Sequence, residues 1–357
     1  MKILHIAHIR NNPFNGVCVA VPAHLIHQSK LADVALLNII DCKINGVERQ
    51  FVYTGSDWRK DVSEDFKKPD IVVFHEVYHI QFAKIAKSLR KLNIPYVIIP
   101  HGSLVKASQH VKRWKKIIAN TFFFHRFIYC ANGIQCLSEN EYKSTLFPGN
   151  KFIATNGIDI PLLYKKTFRV DRIIISYIGR LQWYVKGLDL LVKAAKKIRI
   201  LLLKNNVIFK IYGPDKLGWK AQLQDMIKDN EVEDLFIIND PVDSKDKQTV
   251  LLESDLFIQT SRHEGMPMGV LEALSIGVPC IVTVGTSLGN IIKKYNAGWV
   301  AENNVDSICE MISTAISEKE TWNNKSENAR ILTINEYSWD IISNLTIKKY
   351  NKIIEEK

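Results

Sequence analysis

Two glutamates eight positions apart, Glu264 and Glu272, bracket the stretch of this chain richest in chemistry, Thr260-Ser261-Arg262-His263-Glu264-Gly265-Met266-Pro267-Met268-Gly269-Val270-Leu271-Glu272-Ala273. An apolar strand over 255–259 runs into a polar loop. Pro267 is expected at the first position of a helix reaching Ile276, where its missing N–H is no loss. Free amides at such a helix start favour a phosphate, and two carboxylates facing one crevice could accept hydrogen bonds from a sugar and a ribose. The same pair also reads as ordinary structure, with Glu264 capping the helix and Glu272 solvated on its surface.

Other polar clusters also fall at the ends of apolar strands, where open α/β sheets bind ligands. Gly179-Arg180 follows a strand over 173–178, and Lys186 stands just before a helix expected over 187–203. Arg180 and Lys186 converging there would neutralise a leaving diphosphate, the arginine bidentately. A pair of solvated cations is the other reading, in a chain with 48 lysines and arginines. Arg180→Ala and Lys186→Ala are each expected to lose turnover with the fold intact. Pro100-His101-Gly102-Ser103 ends another strand; a strand-end histidine is otherwise a structural hydrogen-bonder. Gly16, in the turn Asn15-Gly16-Val17, and Gly213, before Pro214, are placed near the phosphates and the base of a nucleotide.

Near-continuous apolar strands alternate with helices along the whole chain, which implies parallel sheets covered on both faces. At 357 residues the chain suits two doubly wound α/β domains, 1–160 and 161–357, joined between Asn156 and Asp171. The composition, 46% hydrophobic and 24% charged, is that of a soluble globular protein, and no apolar run approaches the ~20 residues that cross a bilayer. The opening Met1-Lys2-Ile3-Leu4-His5-Ile6-Ala7-His8 reads as a buried strand rather than a secretory signal. The six cysteines lack Cys-x-x-Cys spacing and read as reduced core residues of a cytoplasmic protein.

A net charge of +11 calls for a solvation explanation or an acidic partner: nucleic acid, an anionic membrane surface or a diphosphate substrate. The segment from Lys106 to Phe127 interleaves Lys106, His110, Lys112, Arg113, Lys115, Lys116 and Arg126 with Val105, Val111, Trp114, Ile117, Ile118, Phe122, Phe123, Phe124 and Phe127. It reads in two ways, as an interfacial contact with the inner face of the cell membrane or as a core-packing helix with an exposed basic face. Nucleic-acid binding would need base-stacking aromatics and clustered cations, which suit a lipid surface better here. No Asp-x-Asp tripeptide occurs, so no divalent metal is implied, and no cofactor is expected. Neither a Gly-x-Gly-x-x-Gly after the first strand nor a Gly-x4-Gly-Lys-Ser/Thr is present, against dehydrogenase and P-loop classes.

The Glu264–Glu272 segment resembles the Glu-x7-Glu signature of the retaining, GT-B-fold glycosyltransferase family 4. Pro100-His101-Gly102-Ser103, Ser138-Glu139, Asn156-Gly157-Ile158-Asp159, Gly179-Arg180-Leu181 with Lys186-Gly187, Tyr212-Gly213-Pro214 and Gly277-Val278-Pro279 occur in that family's order. The resemblance implies a GT-B architecture, two Rossmann-like domains facing a central cleft, the first binding acceptor and the second the nucleotide sugar. It implies that the last helix packs back on the first domain. It assigns Glu264 and His101 to the donor sugar and Glu272 to the ribose. The backbone of Gly265, Met266 and Pro267 falls beside sugar and phosphate, and no enzymic nucleophile is needed. The donor would be a nucleotide-diphosphate sugar, and the acceptor a saccharide or lipid-linked saccharide of bacterial surface polysaccharide. Two departures stand out: Asn15 replaces the first of two glycines, and Asn290 occupies an acidic position. An epimerase or phosphorylase on a similar scaffold is the enzymatic alternative.

Overall fold

The computed structural model describes residues 1–13, 15–110, 113–147, 149–169 and 171–356. The chain divides into two compact units, residues 1–157 with 339–357, and residues 158–338. In the first unit the strands are β1 (Lys2–Ala7), β2 (Asp33–Asn38), β3 (Gln50–Val52), β4 (Ile71–His75), β5 (Tyr96–Ile99), β6 (Gly133–Cys136) and β7 (Lys151–Ile153). They form one parallel sheet in the order β3-β2-β1-β4-β5-β6-β7. The second unit holds β8 (Ile173–Ile178), β9 (Val207–Tyr212), β10 (Phe236–Asn239), β11 (Leu256–Gln259), β12 (Cys280–Thr283) and β13 (Gly298–Ala301), ordered β10-β9-β8-β11-β12-β13, again all parallel.

Strand alternation explains why both sheets are sandwiched by helices. Leu4, Ile6, Ala35 and Leu37 enter one core of the first unit, while their neighbours Ile3, Ala7, Val34 and Leu36 enter another on the opposite face. In the second unit Ile173, Ile175 and Tyr177 face one core, and Phe257, Cys280 and Val282 the other. Each sheet reverses its winding beside its first strand, between β1 and β4 and between β8 and β11. At such a switch point adjacent strands send their connections to opposite faces, which leaves a crevice at the carboxyl ends. This is the GT-B architecture of two Rossmann-like domains. The final helix, Trp339–Glu355, packs within the first unit, where the Tyr350 hydroxyl donates to Gln135 Oε1 at 2.7 Å.

Several local expectations change. Pro267 is the N-cap, its carbonyl accepting from Val270 at 3.0 Å, and the helix is Met268–Ser275, one residue later than the proline alone suggests. The helix expected over 187–203 divides into Leu188–Lys197 and Arg199–Lys204, and a further short helix, Trp183–Lys186, precedes it. The first break falls at Gly187, whose φ of 64° and approach to Thr260, where a Cβ would lie 1.9 Å from the carbonyl oxygen, admit only glycine. Asn15 needs no positive φ: at −109° it caps the helix Gly16–Gln28, its Oδ1 accepting from the Val17 amide at 3.0 Å. Cys136, Cys280 and Cys309 are buried, whereas Cys130 is exposed, so not every cysteine is a core residue.

Candidate functional site

The carboxyl edge of the second sheet gathers most of the chemistry expected of this unit. Lys186 ends the short helix Trp183–Lys186 and is held by Thr260, whose hydroxyl donates to the carbonyls of Gly187 at 2.8 Å and Lys186 at 3.3 Å. Its ammonium pairs with Glu264 Oε1, and both side chains are about nine-tenths buried. The same oxygen accepts from Gln259 Nε2 at 2.6 Å and Ser261 Oγ at 2.8 Å. Three donors therefore crowd one carboxylate oxygen, leaving Oε2 without a partner among the described residues. The Gln259 Oε1 acceptor beside it is buried and unsatisfied.

Neighbouring elements hold the backbone of the Glu264 loop. The Glu264 amide donates to Gly285 at 2.9 Å, and Thr283 Oγ1 donates to the Ser261 carbonyl at 2.7 Å. Arg262 donates to Asp189 through two bonds of 2.6 and 2.7 Å, and its guanidinium lies 4.3 Å from the centre of the Tyr184 ring. The loop after β11 and the Lys186 segment are thereby clamped together. The amides of Gly265 and Met266 donate to no described residue, and the helix that follows packs so closely that a Cβ on Gly269 would meet the Ile178 carbonyl at 2.8 Å. The end of β8 and the start of this helix are adjacent.

Arg180 follows β8, is exposed and makes no ion pair among the described residues. Its carbonyl accepts from the Tyr177 hydroxyl at 2.9 Å. Burial raises the Tyr177 phenol far above its ordinary value, Glu264 reinforces this and Arg180 opposes it, so both charges act on one buried ring. Gly213 lies where a Cβ would be 1.8 Å from the Gly179 carbonyl oxygen, which closes the ends of β8 and β9 together. Glu272, a turn into Met268–Ser275, accepts from Lys247 Nζ at 2.7 Å; burial raises its carboxyl, and Lys247 opposes the rise.

His101 and Gly16 belong to the first unit. Gly16 opens its helix, exposed, at the carboxyl end of β1. His101 follows β5 at φ 48°, a left-handed conformation that non-glycine residues adopt only when held. Glu141 does the holding: Ser138 caps its helix, but the glutamate carboxylate accepts from the Gly102 and Leu137 amides, at 2.6 Å each. Behind His101 runs a buried chain. His101 Nε2 lies 3.2 Å from His75 Nδ1, His75 Nε2 2.8 Å from His5 Nδ1, and His5 Nε2 3.1 Å from Gln28 Oε1. Gln28 Nε2 lies 3.4 Å from His24 Nδ1, and His24 Nε2 3.0 Å from Asn156 Oδ1.

Burial lowers all four histidines, His5 to about 3, His24 and His101 to about 4, and His75 well below its ordinary value. The rings are neutral in the fold, while the unfolded chain takes up protons below its ordinary value of about 6.5. Stability is therefore complete above about pH 6.5. It falls as pH drops towards 4, by up to about 1.4 kcal/mol per pH unit for each ring. Thermal melting between pH 8 and 4.5 should show this slope, and His24→Asn should make it shallower.

Sequence reasoning did not find Gln259, Ser261 and Lys247 as partners of the two glutamates, nor the histidine chain. The signal for the chain was present, since His5 and His75 interrupt otherwise apolar strands. Among the described residues, His8, Glu76 and His79 could hold a metal ion, their ligand atoms lying within 4.8 Å of one another. No helix among the described residues is long and apolar enough to cross a membrane.

The two-unit fold and this edge are similar to those of known glycosyltransferases. Residues 163–332 match the family described as Glycosyl transferases group 1, a span within the second unit, so that unit carries a glycosyltransferase domain. The chain is 28% identical over 189 residues to an uncharacterized glycosyltransferase of Methanocaldococcus jannaschii, covering 52% of this chain and 46% of that one. It is 25% identical over 300 residues to the UDP-Gal:alpha-D-GlcNAc-diphosphoundecaprenol alpha-1,3-galactosyltransferase of Escherichia coli, covering 76% and 72% respectively. The chain spans about half the length of several curated relatives it matches. In structure it is similar to Anabaena HepE, solved with UDP and glucose, at a TM-score of 0.73, 16% identity, and coverage of 99% of this chain and 100% of that one.

Proposed function

We propose that this protein is a retaining, family 4-type glycosyltransferase that moves a sugar from a nucleotide diphosphate to an acceptor hydroxyl. The observation that carries the reading is the buried Lys186–Glu264 pair, with one glutamate oxygen unpartnered, at the switch point of a glycosyltransferase domain. The bond from the anomeric carbon to the diphosphate oxygen breaks, and a bond to the acceptor oxygen forms on the same face. The acceptor proton passes to the leaving diphosphate. Arg180, Lys186 and the Gly265 and Met266 amides offset the charge that develops there. Glu264 Oε2 accepts from a donor-sugar hydroxyl, Glu272 from the ribose, Gly213 shapes the wall at the base, and Gly16 adjoins the phosphates. His101 contacts the donor sugar by the resemblance of its motif. No step requires a metal.

The test is release of free nucleoside diphosphate from a panel of nucleotide sugars, with and without acceptor, and the anomeric configuration of the product by NMR. Acceptor-dependent release with retention supports the reading. Release indifferent to acceptor, or an inverted product, refutes it; phosphate-dependent release would identify a phosphorylase.

The acceptor proposed is a lipid-diphosphate-linked saccharide at the inner face of a bacterial membrane, in surface polysaccharide synthesis. Support comes from the Escherichia coli galactosyltransferase, whose name gives a diphosphoundecaprenol acceptor, and from the segment that begins at Lys106. Phe124 and Phe127 of that segment are core residues, contrary to a continuous interfacial stripe, but Trp114 is 77% and Phe122 75% exposed. Phe123, Ile117 and Ile118 are exposed with them, and so are Lys106, Lys115 and Arg126, while Val111 and Lys112 lie outside the described residues. Lys116 turns inward, donating to the Ser108 carbonyl at 2.6 Å. Exposed aromatics beside cations fit an anionic surface. Vesicles with anionic lipid should pull the protein down at low salt, and Trp114→Ala with Phe122→Ala should abolish this; equal binding to neutral vesicles would contradict it.

A further inference from the structure

His101 is the last ring of a six-residue hydrogen-bonded chain, and that chain has a direction. A neutral imidazole has one donor nitrogen and one acceptor nitrogen, so fixing one partner fixes both. Asn156 presents Oδ1, which only accepts; His24 must therefore donate from Nε2 and accept at Nδ1, where Gln28 offers its NH2 group. Gln28 Oε1 in turn requires a proton on His5 Nε2, leaving His5 Nδ1 to accept from His75 Nε2. His75 Nδ1 is then an acceptor, and His101 must donate to it from Nε2. What remains on His101 is a bare Nδ1.

We propose that this chain holds His101 in one tautomer, with Nε2 protonated and Nδ1 bare, so that it meets a donor-sugar hydroxyl as an acceptor, with Gln28 and Asn156 as the positioning residues that set it. The proposal rests on the sugar-contacting role given to His101 above. Two amides, Gln28 three links from His101 and Asn156 five links from it, agree on this direction. The one other self-consistent arrangement of neutral rings reverses every link and flips both amides together. Turning a single inner ring sets two donors against each other at one link and two acceptors at the other, inside the core, and such unsatisfied buried groups are costly. His5, His24 and His75 are fully buried, so water cannot relieve the mismatch. The chain thus behaves as a unit, and a residue far along it, such as Asn156, bears on the nitrogen that His101 presents.

The experiment is long-range proton–nitrogen correlation NMR on the full chain carrying 15N-histidine, at pH 7.5, which distinguishes protonated from bare ring nitrogens. His5, His24, His75 and His101 should each be protonated at Nε2 alone. In Gln28→Leu, His101 should become a mixture of tautomers, and kcat should fall about tenfold with donor KM changed less than twofold, as for loss of one transition-state hydrogen bond. If that variant does not fold, Asn156→Leu removes the acceptor at the far end and should give the same mixing, beginning at His24. A proton on Nδ1 of His101 in the wild type, or an unchanged single tautomer in the folded variant, overturns the proposal. Wild-type tautomers as expected with no sugar transfer from any donor would instead refute the proposed function and leave the chain standing.

Discussion

Replacing Lys186 by methionine is expected to lower both turnover and stability, and the two losses should be separable. In turnover the variant loses a cation beside the developing diphosphate charge, an effect on the order of 10²–10³ in kcat for one stabilising donor. In stability it leaves the Glu264 carboxylate buried without its counter-ion; breaking a buried pair from one side costs about 3–5 kcal/mol. Gln259 and Ser261 still donate to that carboxylate, which places the expected loss at the low end. Adding Glu264→Gln removes the stranded charge, so the double variant should recover most of the melting temperature and none of the activity. Thermal melting with steady-state kinetics on the three proteins checks this. A Lys186→Met protein with wild-type turnover would remove the lysine from the diphosphate site.

Arg180→Ala should behave differently although it removes the same charge. Arg180 is exposed and unpaired among the described residues, so its loss strands nothing and leaves melting within about 0.5 kcal/mol of wild type. Its turnover should nonetheless fall by about 10²–10³, because an unpaired guanidinium at a strand end is free to take a phosphate bidentately. Arg180→Lys, which keeps charge and loses the fork, should recover only part of the rate. The sequence suggests the same outcome for both cations; burial divides them, since one is built into the core and the other stands outside it.

That division marks where reading residues in order ceases to inform. The parallel sheets were legible because strands such as Ile71–His75 and Ile173–Ile178 are apolar on both faces, and helices such as Val305–Ser317 carry clear periodicity. The edge strands Gln50–Val52 and Gly298–Ala301 escaped because they are short and only half-buried. Residues at strand ends were identifiable as site candidates, since a sheet of this kind directs them to one edge whatever their partners. The partners themselves were not legible. Lys247 reaches Glu272 from 25 positions away, and His5 reaches His75 across 70. Such contacts follow from strand order and register, which local spacing does not encode. Glu141 is the instructive intermediate: it stands three residues after Ser138, the spacing of a capping box, but its carboxylate holds the loop of His101 through an amide 39 positions earlier.

Calorimetric titration of nucleoside diphosphates into the full chain and into Arg180→Ala addresses the second unit's carboxyl edge without needing the acceptor. Saturable binding of at least one nucleoside diphosphate to the wild type, weakened about tenfold or more in the variant, is the predicted result. Absence of binding by every base tried, or equal affinity in the two proteins, would contradict it.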